Sequence, residues 1–215
     1  MFDPLQNRRD FIKFAAVSAA AVPLFAACSD DTFAQKSGDD LVTVLKRNAV
    51  QDKNCEWCGA RDVPNAVSAR TVLASTDEKG EWLNISGTVF GRDGKPFAGA
   101  LIYLYHTDIY GIYGRDGEHK HGRYRGWMLT GDDGRYEFET IRPASYPNST
   151  IAAHVHMTVT TKDHKEDWID SILFEGDRFI TDRERASRKG GFNPILTLEK
   201  DAAGISRGVR NIQLT

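Results

Sequence analysis

Residues 82–106 read WLNISGTVFGRDGKPFAGALIYLYH, two strand-like runs joined by a segment rich in turn residues. In WLNISGTVF, Leu83, Ile85 and Val89 recur at a period of two, the spacing of a strand with one face buried. GRDGKPFAGA supplies Asp93-Gly94 and Pro96, whose backbone preferences turn the chain. GALIYLYH follows as a second strand. Working outward, RGWMLT gives a third, and GDDG turns tightly into RYEFETI. AHVHMTVTT, WIDSILFEGD, ILTLEK and VRNIQLT carry the pattern towards the C-terminus. About eight short strands with no strong helical period between them predict an all-β fold. The expected form is an antiparallel β-sandwich over 82–215, preceded by a short extension at 41–81. The one helical candidate is Asp40 to Ala49, loosely amphipathic.

The chain opens differently. NRRDFIKFAAVSAAAVPLFAAC places Arg8, Arg9 and Lys13 before a short apolar stretch ending at Ala27. A basic start, a short apolar middle and small residues before a break describe an export signal rather than a folded helix. RRDFIK resembles the twin-arginine signal, which exports folded, often cofactor-loaded proteins. FAAC resembles a lipoprotein box, with Phe25 where leucine is more usual, so residues 1–27 are expected to be removed and Cys28 lipidated. A plain signal cleaved nearby is the alternative. Residues 28–40, rich in Ser, Asp, Lys and Gly, have the composition of a tether. The expected location is the periplasm, with membrane contact only through the lipid.

Of 215 residues, 28 are Lys or Arg and 30 are Asp or Glu, a formal charge of −2 that gives no basic excess for binding nucleic acid. The cysteine count of three resolves as Cys28 plus a Cys55/Cys58 pair in NCEWCGARDVP. Zinc would need a second ligand pair, and a thioredoxin-like role would need a preceding strand and a long following helix. In an oxidising compartment a local disulfide is the better reading.

His154-Val155-His156 is the sharpest chemical feature. In a strand, alternate side chains share a face, so both imidazoles project to one side while Val155, Met157 and Val159 project to the other. Two imidazoles so placed can ligate one metal ion, and the apolar strand around them favours that over a solvated pair. Tyr113, in YHTDIYGIYGRDG, and Tyr146, in TIRPASYPNST, lie in Gly- and Pro-shaped loops. Phenolate is a hard anionic donor suited to ferric iron, and a bound trivalent ion lowers the phenol pKa from about 10.

Three blocks in order, ISGTVFGRDGKPFAGALIYLYHTDIYGIYG, YRGWMLTGDDGRYEFETIRPASYP and AAHVHMTV, resemble the intradiol ring-cleavage dioxygenases, the catechol and protocatechuate dioxygenase superfamily. The likeness is greatest to an exported branch with a CxxC segment and YHT and RGW strings. The resemblance implies a β-sandwich holding one non-haem Fe(III), with Tyr113, Tyr146, His154 and His156 as ligands. It implies a small aromatic diol and O2 as substrates, and a muconate-type diacid as product. Tyr146 and a bound hydroxide would leave the metal and take up the two phenolic protons, while Tyr113, His154 and His156 stay. Arg125 of YRGW and Arg142 of IRPASY match basic positions of the family blocks.

This chain departs from the family at two places. Ring-cleaving members usually carry arginine three residues before the first histidine, where Ile151 stands, and glutamine before the F-x-G-D string, where Ser171 stands. One alternative therefore keeps the iron site but changes the substrate and reaction. Another follows from GTVFGRDGKPFAGALIYLY and TGDDGRYEF, which also resemble transthyretin-like and carboxypeptidase regulatory-like binding modules. Those lack a metal site, so Tyr113, Tyr146 and the histidine pair separate the readings. Of the other groups, His119 and His121 are expected in a solvated charged loop, and His106 in a structural hydrogen bond. Trp127 and Trp168 are expected as core fillers, and Asp167 and Asp170 as solvated carboxylates.

Overall fold

The alternation is realised as short strands in two facing sheets. The computed structural model of the chain describes residues 36–114 and 119–215. Arg8, Arg9, Lys13 and Cys28, and most of the expected tether, lie outside the described residues. One sheet is built from β1 (Arg70–Val72), β2 (Trp82–Phe90), β5 (Arg135–Ile141), β9 (Glu199–Lys200), β10 (Ser206–Val209) and β11 (Ile212–Gln213). The other holds β3 (Leu101–His106), β4 (Arg125–Leu129), β6 (His154–Thr160), β7 (Asp167–Phe174) and β8 (Ile195–Leu196). Their orders are β1-β5-β2-β10-β9, with β11 also on β2, and β4-β3-β6-β7-β8.

The core lies between the sheets. Leu83, Ile85 and Val89 of β2 and Phe138 of β5 pack with Ile102 and Leu104 of β3 and with Val155, Met157 and Val159 of β6. Each such side chain contributes about 1.5–3 kcal/mol by leaving water. The fold is therefore the expected all-β sandwich, but its pairing is mixed. β1–β5, β2–β10, β2–β11 and β7–β8 are parallel. Periodicity fixes which face a residue takes and carries no information on the direction of a neighbouring strand. VRNIQLT, expected as one strand, is broken between β10 and β11. There Arg210 is fully buried and donates to the carbonyls of Phe192 (3.1 Å) and Asn211 (2.9 Å).

The N-terminal extension covers the outer face of the second sheet. Helix α1 (Lys36–Asn48) starts ahead of the expected Asp40, inside the stretch read as a tether. Its Val42 and Leu45, with Ala49, Ala60 and Val63, pack on Leu101 and the half-buried Trp127. That cover explains why all six residues of β3 are buried. Cys55 and Cys58 are joined as a disulfide with Cα atoms 5.7 Å apart. Glu166, buried just before β7, ties the extension down. Its Oε1 accepts from Gly59 N (2.8 Å), Ala60 N (2.9 Å) and Thr158 Oγ1 (3.0 Å), and its Oε2 from Val50 N (3.1 Å).

Two expectations fail here. Trp168 is 46% exposed rather than core, its ring covered by Lys189 Nζ at 3.7 Å from the centroid. Asp170 is not a free solvated carboxylate, because it accepts from Ser187 Oγ (2.8 Å) and Lys189 N (2.6 Å). A second helix, α2 (Asp182–Ala186), was not legible as a period. It is set by Thr181 and Glu184, which cap each other reciprocally.

Candidate metal centre

Strand alternation in β6 sends Val155, Met157 and Val159 into the core, so His154 and His156 stand on the outer face of the second sheet. A register shift against β7 falls between Val155 and Met157, at His156. The two Nε2 atoms are 2.9 Å apart. Two loops bring the tyrosines to them. Tyr146 Oη lies 3.1 Å from His154 Nε2, 3.4 Å from His156 Nε2 and 2.5 Å from Tyr113 Oη. All four ligand candidates thus converge on one point.

The loops are joined by residues that the motifs did not single out. Asp108 Oδ1 accepts from Tyr110 N (2.8 Å) and Ile112 N (3.0 Å), an Asx turn that shapes the Tyr113 loop. Its backbone carbonyl accepts from Ala144 N (3.1 Å), and Thr107 Oγ1 donates to Ala144 O (2.8 Å), so the Tyr146 loop is stitched to the same corner. Gly111 sits at φ +79, and a Cβ there would overlap the Ser145 carbonyl oxygen. The Asp-x-x-Gly spacing of DIYG was the available signal for this corner. Gly111→Ala is expected to cost about 1–3 kcal/mol from the left-handed backbone alone. Thermal denaturation should show a melting temperature lowered by roughly 5 °C or more. An unchanged melting temperature would refute the close-approach account.

The imidazoles are held neutral. His154 Nδ1 lies 2.7 Å from Ala152 O and donates to it, which leaves Nε2 unprotonated towards the tyrosines. Asp177 of the FEGD string accepts from Ala153 N (2.9 Å), fixing the residue before His154. Burial lowers the His154 pKa, and burial plus neighbouring imidazoles push His156 down to about 3. Burial raises both phenols, and the hydrogen bond that Tyr113 donates to Tyr146 raises Tyr113 further while lowering Tyr146. Without a cation, all four groups stay uncharged at neutral pH.

An aromatic column supports His156. Tyr105 stacks on His156 at 4.6 Å and on His121 at 3.8 Å between ring centroids. His121 accepts from Tyr103 Oη at Nδ1 (2.6 Å) and donates from Nε2 to Glu56 O (2.7 Å), inside the disulfide loop. His121 is therefore buried at 3% exposure rather than solvated, and burial pushes its pKa to about 4. The charged run GEHKHGRYRG concealed this, since cover comes from a distant segment. His119 is exposed. His106 makes the expected structural bonds, to Thr107 O and Thr140 Oγ1, both 2.7 Å.

Arg125 and Arg142 do not join the convergence. Arg142 pairs with Glu81 (3.1 Å) and lies over the Phe174 ring, and Arg125 donates to Gly122 O. Ile151 and Ser171 both line a cavity of about 260 Å³ that borders His154 and His156. Trp168, Leu173, Glu184 and Pro194 complete most of its wall. Three larger depressions, about 290, 480 and 580 Å³, contain none of the four candidate donors.

The donor set fits a single hard cation. At a metal–nitrogen distance of about 2.1 Å, two ligands at right angles stand roughly 3.0 Å apart, close to the 2.9 Å between the Nε2 atoms. Among the described residues no group of three or more His, Cys, Asp or Glu is placed to hold a metal ion. Two neutral imidazoles and two phenols that become anionic on metal binding suit a trivalent ion better than zinc or magnesium.

The family model described as Dioxygenase matches residues 61–210. A catechol 1,2-dioxygenase of Acinetobacter lwoffii is 30% identical over 148 residues, covering 60% of this chain and 47% of its own. The chain spans about half the length of such curated relatives. The dioxygenase domain of a carbohydrate-binding fusion from Streptomyces sp. SirexAA-E superposes with TM-score 0.55 at 26% identity, over 69% of this chain and 89% of that one. The catechol 1,2-dioxygenase of Acinetobacter sp. ADP1 shares the fold, with TM-score 0.56 at 21% identity over 69% of this chain and 57% of that one.

Proposed function

Because the chain belongs to the Dioxygenase family, within the intradiol ring-cleavage superfamily, we propose that it is a non-haem Fe(III) enzyme that uses O2 to open the ring of catecholic or related aromatic compounds. The observation that carries this reading is that Tyr146 Oη lies within 3.4 Å of the other three donor atoms, beside a cavity. Tyr113, Tyr146, His154 and His156 would hold the ion. When bound, the ferric ion supplies positive charge that stabilises phenolates and draws electron density from a coordinated aromatic diol.

The chain's own residues do the rest. Tyr146 Oη lies within 3.4 Å of the other three donor atoms, placed to accept a proton from an incoming phenol. Ala152 O fixes the His154 tautomer, and Tyr105 fixes the plane of His156. Ile151, Trp168, Leu173 and Pro194 give the cavity apolar walls that exclude water from the ring. An apolar cavity of roughly 150 Å³ accepts benzene, so about 260 Å³ leaves room for a substituted ring. Arg8-Arg9 and Cys28 support export and lipid anchoring, with the folded, metal-loaded chain as the exported species.

Ferric tyrosinate absorbs visible light, so the iron-loaded protein is expected to be red to burgundy. It should consume O2 with catechol, protocatechuate or hydroxyquinol. Protein that stays colourless and retains no iron after supplementation would overturn the reading.

A further inference from the structure

The cavity beside the histidines has a charge of one sign. Among the described residues no Lys or Arg lines it, whereas Asp170 and Glu184 both do. Four cations of the flanking segments are engaged elsewhere. Arg185 pairs with Glu175 (3.2 Å), Lys189 with Asp167 (2.9 Å) and Arg142 with Glu81 (3.1 Å). Arg188 donates to the carbonyls of Arg185 and Ser187.

The two carboxylates differ in availability. Asp170 spends both oxygens on Ser187 Oγ and Lys189 N. Glu184 spends only Oε2, which accepts from Thr181 N and Thr181 Oγ1, both at 2.7 Å. Among the described residues nothing donates to its Oε1, although the residue is half-buried in the cavity wall. A partly sheltered carboxylate with one free oxygen attracts a cation and repels an anion more strongly than it would in open water.

Resting on the ring-cleavage reading above, we propose that Glu184 selects the ring substituent, so that the site takes neutral and, by preference, aminoalkyl-substituted 1,2-diphenols and disfavours carboxylated ones. The ammonium group would meet Glu184 Oε1, while Ile151, Trp168 and Leu173 contact the ring. Ile151 and Ser171 fit this reading, since neither offers a cation to a substrate carboxylate.

The test is anaerobic titration of the iron-loaded protein, following its visible band, with 4-(2-aminoethyl)catechol, 4-ethylcatechol and 3,4-dihydroxybenzoate. The expected order of affinity is aminoethyl, then ethyl, then carboxylate, with roughly tenfold between the first and last. Glu184→Gln keeps a capping residue that can still bond Thr181, and it should reduce the aminoethyl-to-ethyl ratio towards one. Glu184→Lys should reverse the order and favour the carboxylated ring. Equal or tighter binding of 3,4-dihydroxybenzoate by the unaltered protein, or ratios unmoved by either substitution, would overturn the selection. A coloured protein whose band responds to none of the three diols would overturn the ring-cleavage reading and this inference with it.

Discussion

In a His156→Ala variant, iron retention is expected to fall by about two to three orders of magnitude and the visible band to vanish. The size follows from sharing out a metal-binding free energy. A four-donor protein site binds its ion with about 10–16 kcal/mol, or some 2.5–4 kcal/mol per donor, and each 1.4 kcal/mol is a factor of ten. His156 is a sensitive donor to remove because its environment makes no provision for a replacement. Its Nε2 faces His154 and Tyr146, and among the described residues its Nδ1 has only Ser171 Oγ at 3.4 Å. A water in the vacated space would have to serve as ligand without that held orientation. The loss is specific to the site, because Val155 and Met157 on the other face of β6 still pack the core. His119→Ala, at an exposed position, is the matched control and should retain iron. Metal analysis after gel filtration reads both. A His156→Ala protein carrying the full complement of iron would remove His156 from the ligand set.

The second large effect is expected far from any reacting atom. Glu166→Ala should destabilise the protein by about 3–5 kcal/mol, since hydrogen bonds to a charged group contribute about 1.5–3 kcal/mol each and stranded donors add a penalty. Gly59 N, Ala60 N, Thr158 Oγ1 and Val50 N would all lose their acceptor at once. A chain of this size loses roughly 2–4 °C in melting temperature per kcal/mol, so the fall should be about 10 °C. Glu166→Gln should fall between, because its carboxamide keeps one acceptor oxygen and turns an NH2 towards the other donors. A melting temperature unchanged by Glu166→Ala would show that these bonds do not hold the extension. The same variant links fold and site, since Thr158 lies two residues beyond His156 on one face of β6 and Gly59 follows the disulfide.

The strands of the core and the convergence of Tyr113, Tyr146, His154 and His156 were legible because local patterns specify them. Alternation names the buried face, and the motif blocks name the loops. What escaped is what depends on distant partners. His121 and Glu166 sit in charged runs that look solvated, and both are buried because the N-terminal extension covers them. Trp168 looks like a core residue, but its place in β7 turns it outward, where Lys189 covers it. The parallel pairings of β10 and β11 with β2 join segments far apart in sequence, and no local period encodes them. Arg125 and Arg142 were assigned by position in the blocks, yet their side chains are committed to Gly122 O and Glu81.

That parallel pairing also sets an order of events during synthesis. The edge of β2 is closed by strands whose residues are made much later, as the bond from Thr88 N to Asn211 Oδ1 spans 123 positions. Loop closure over such a distance is slow, and an open strand edge is prone to pair with other chains meanwhile. All four donor residues emerge from the ribosome before β10. The first sheet is completed only after them, so β10 and β11 decide when the nascent chain stops being vulnerable to aggregation.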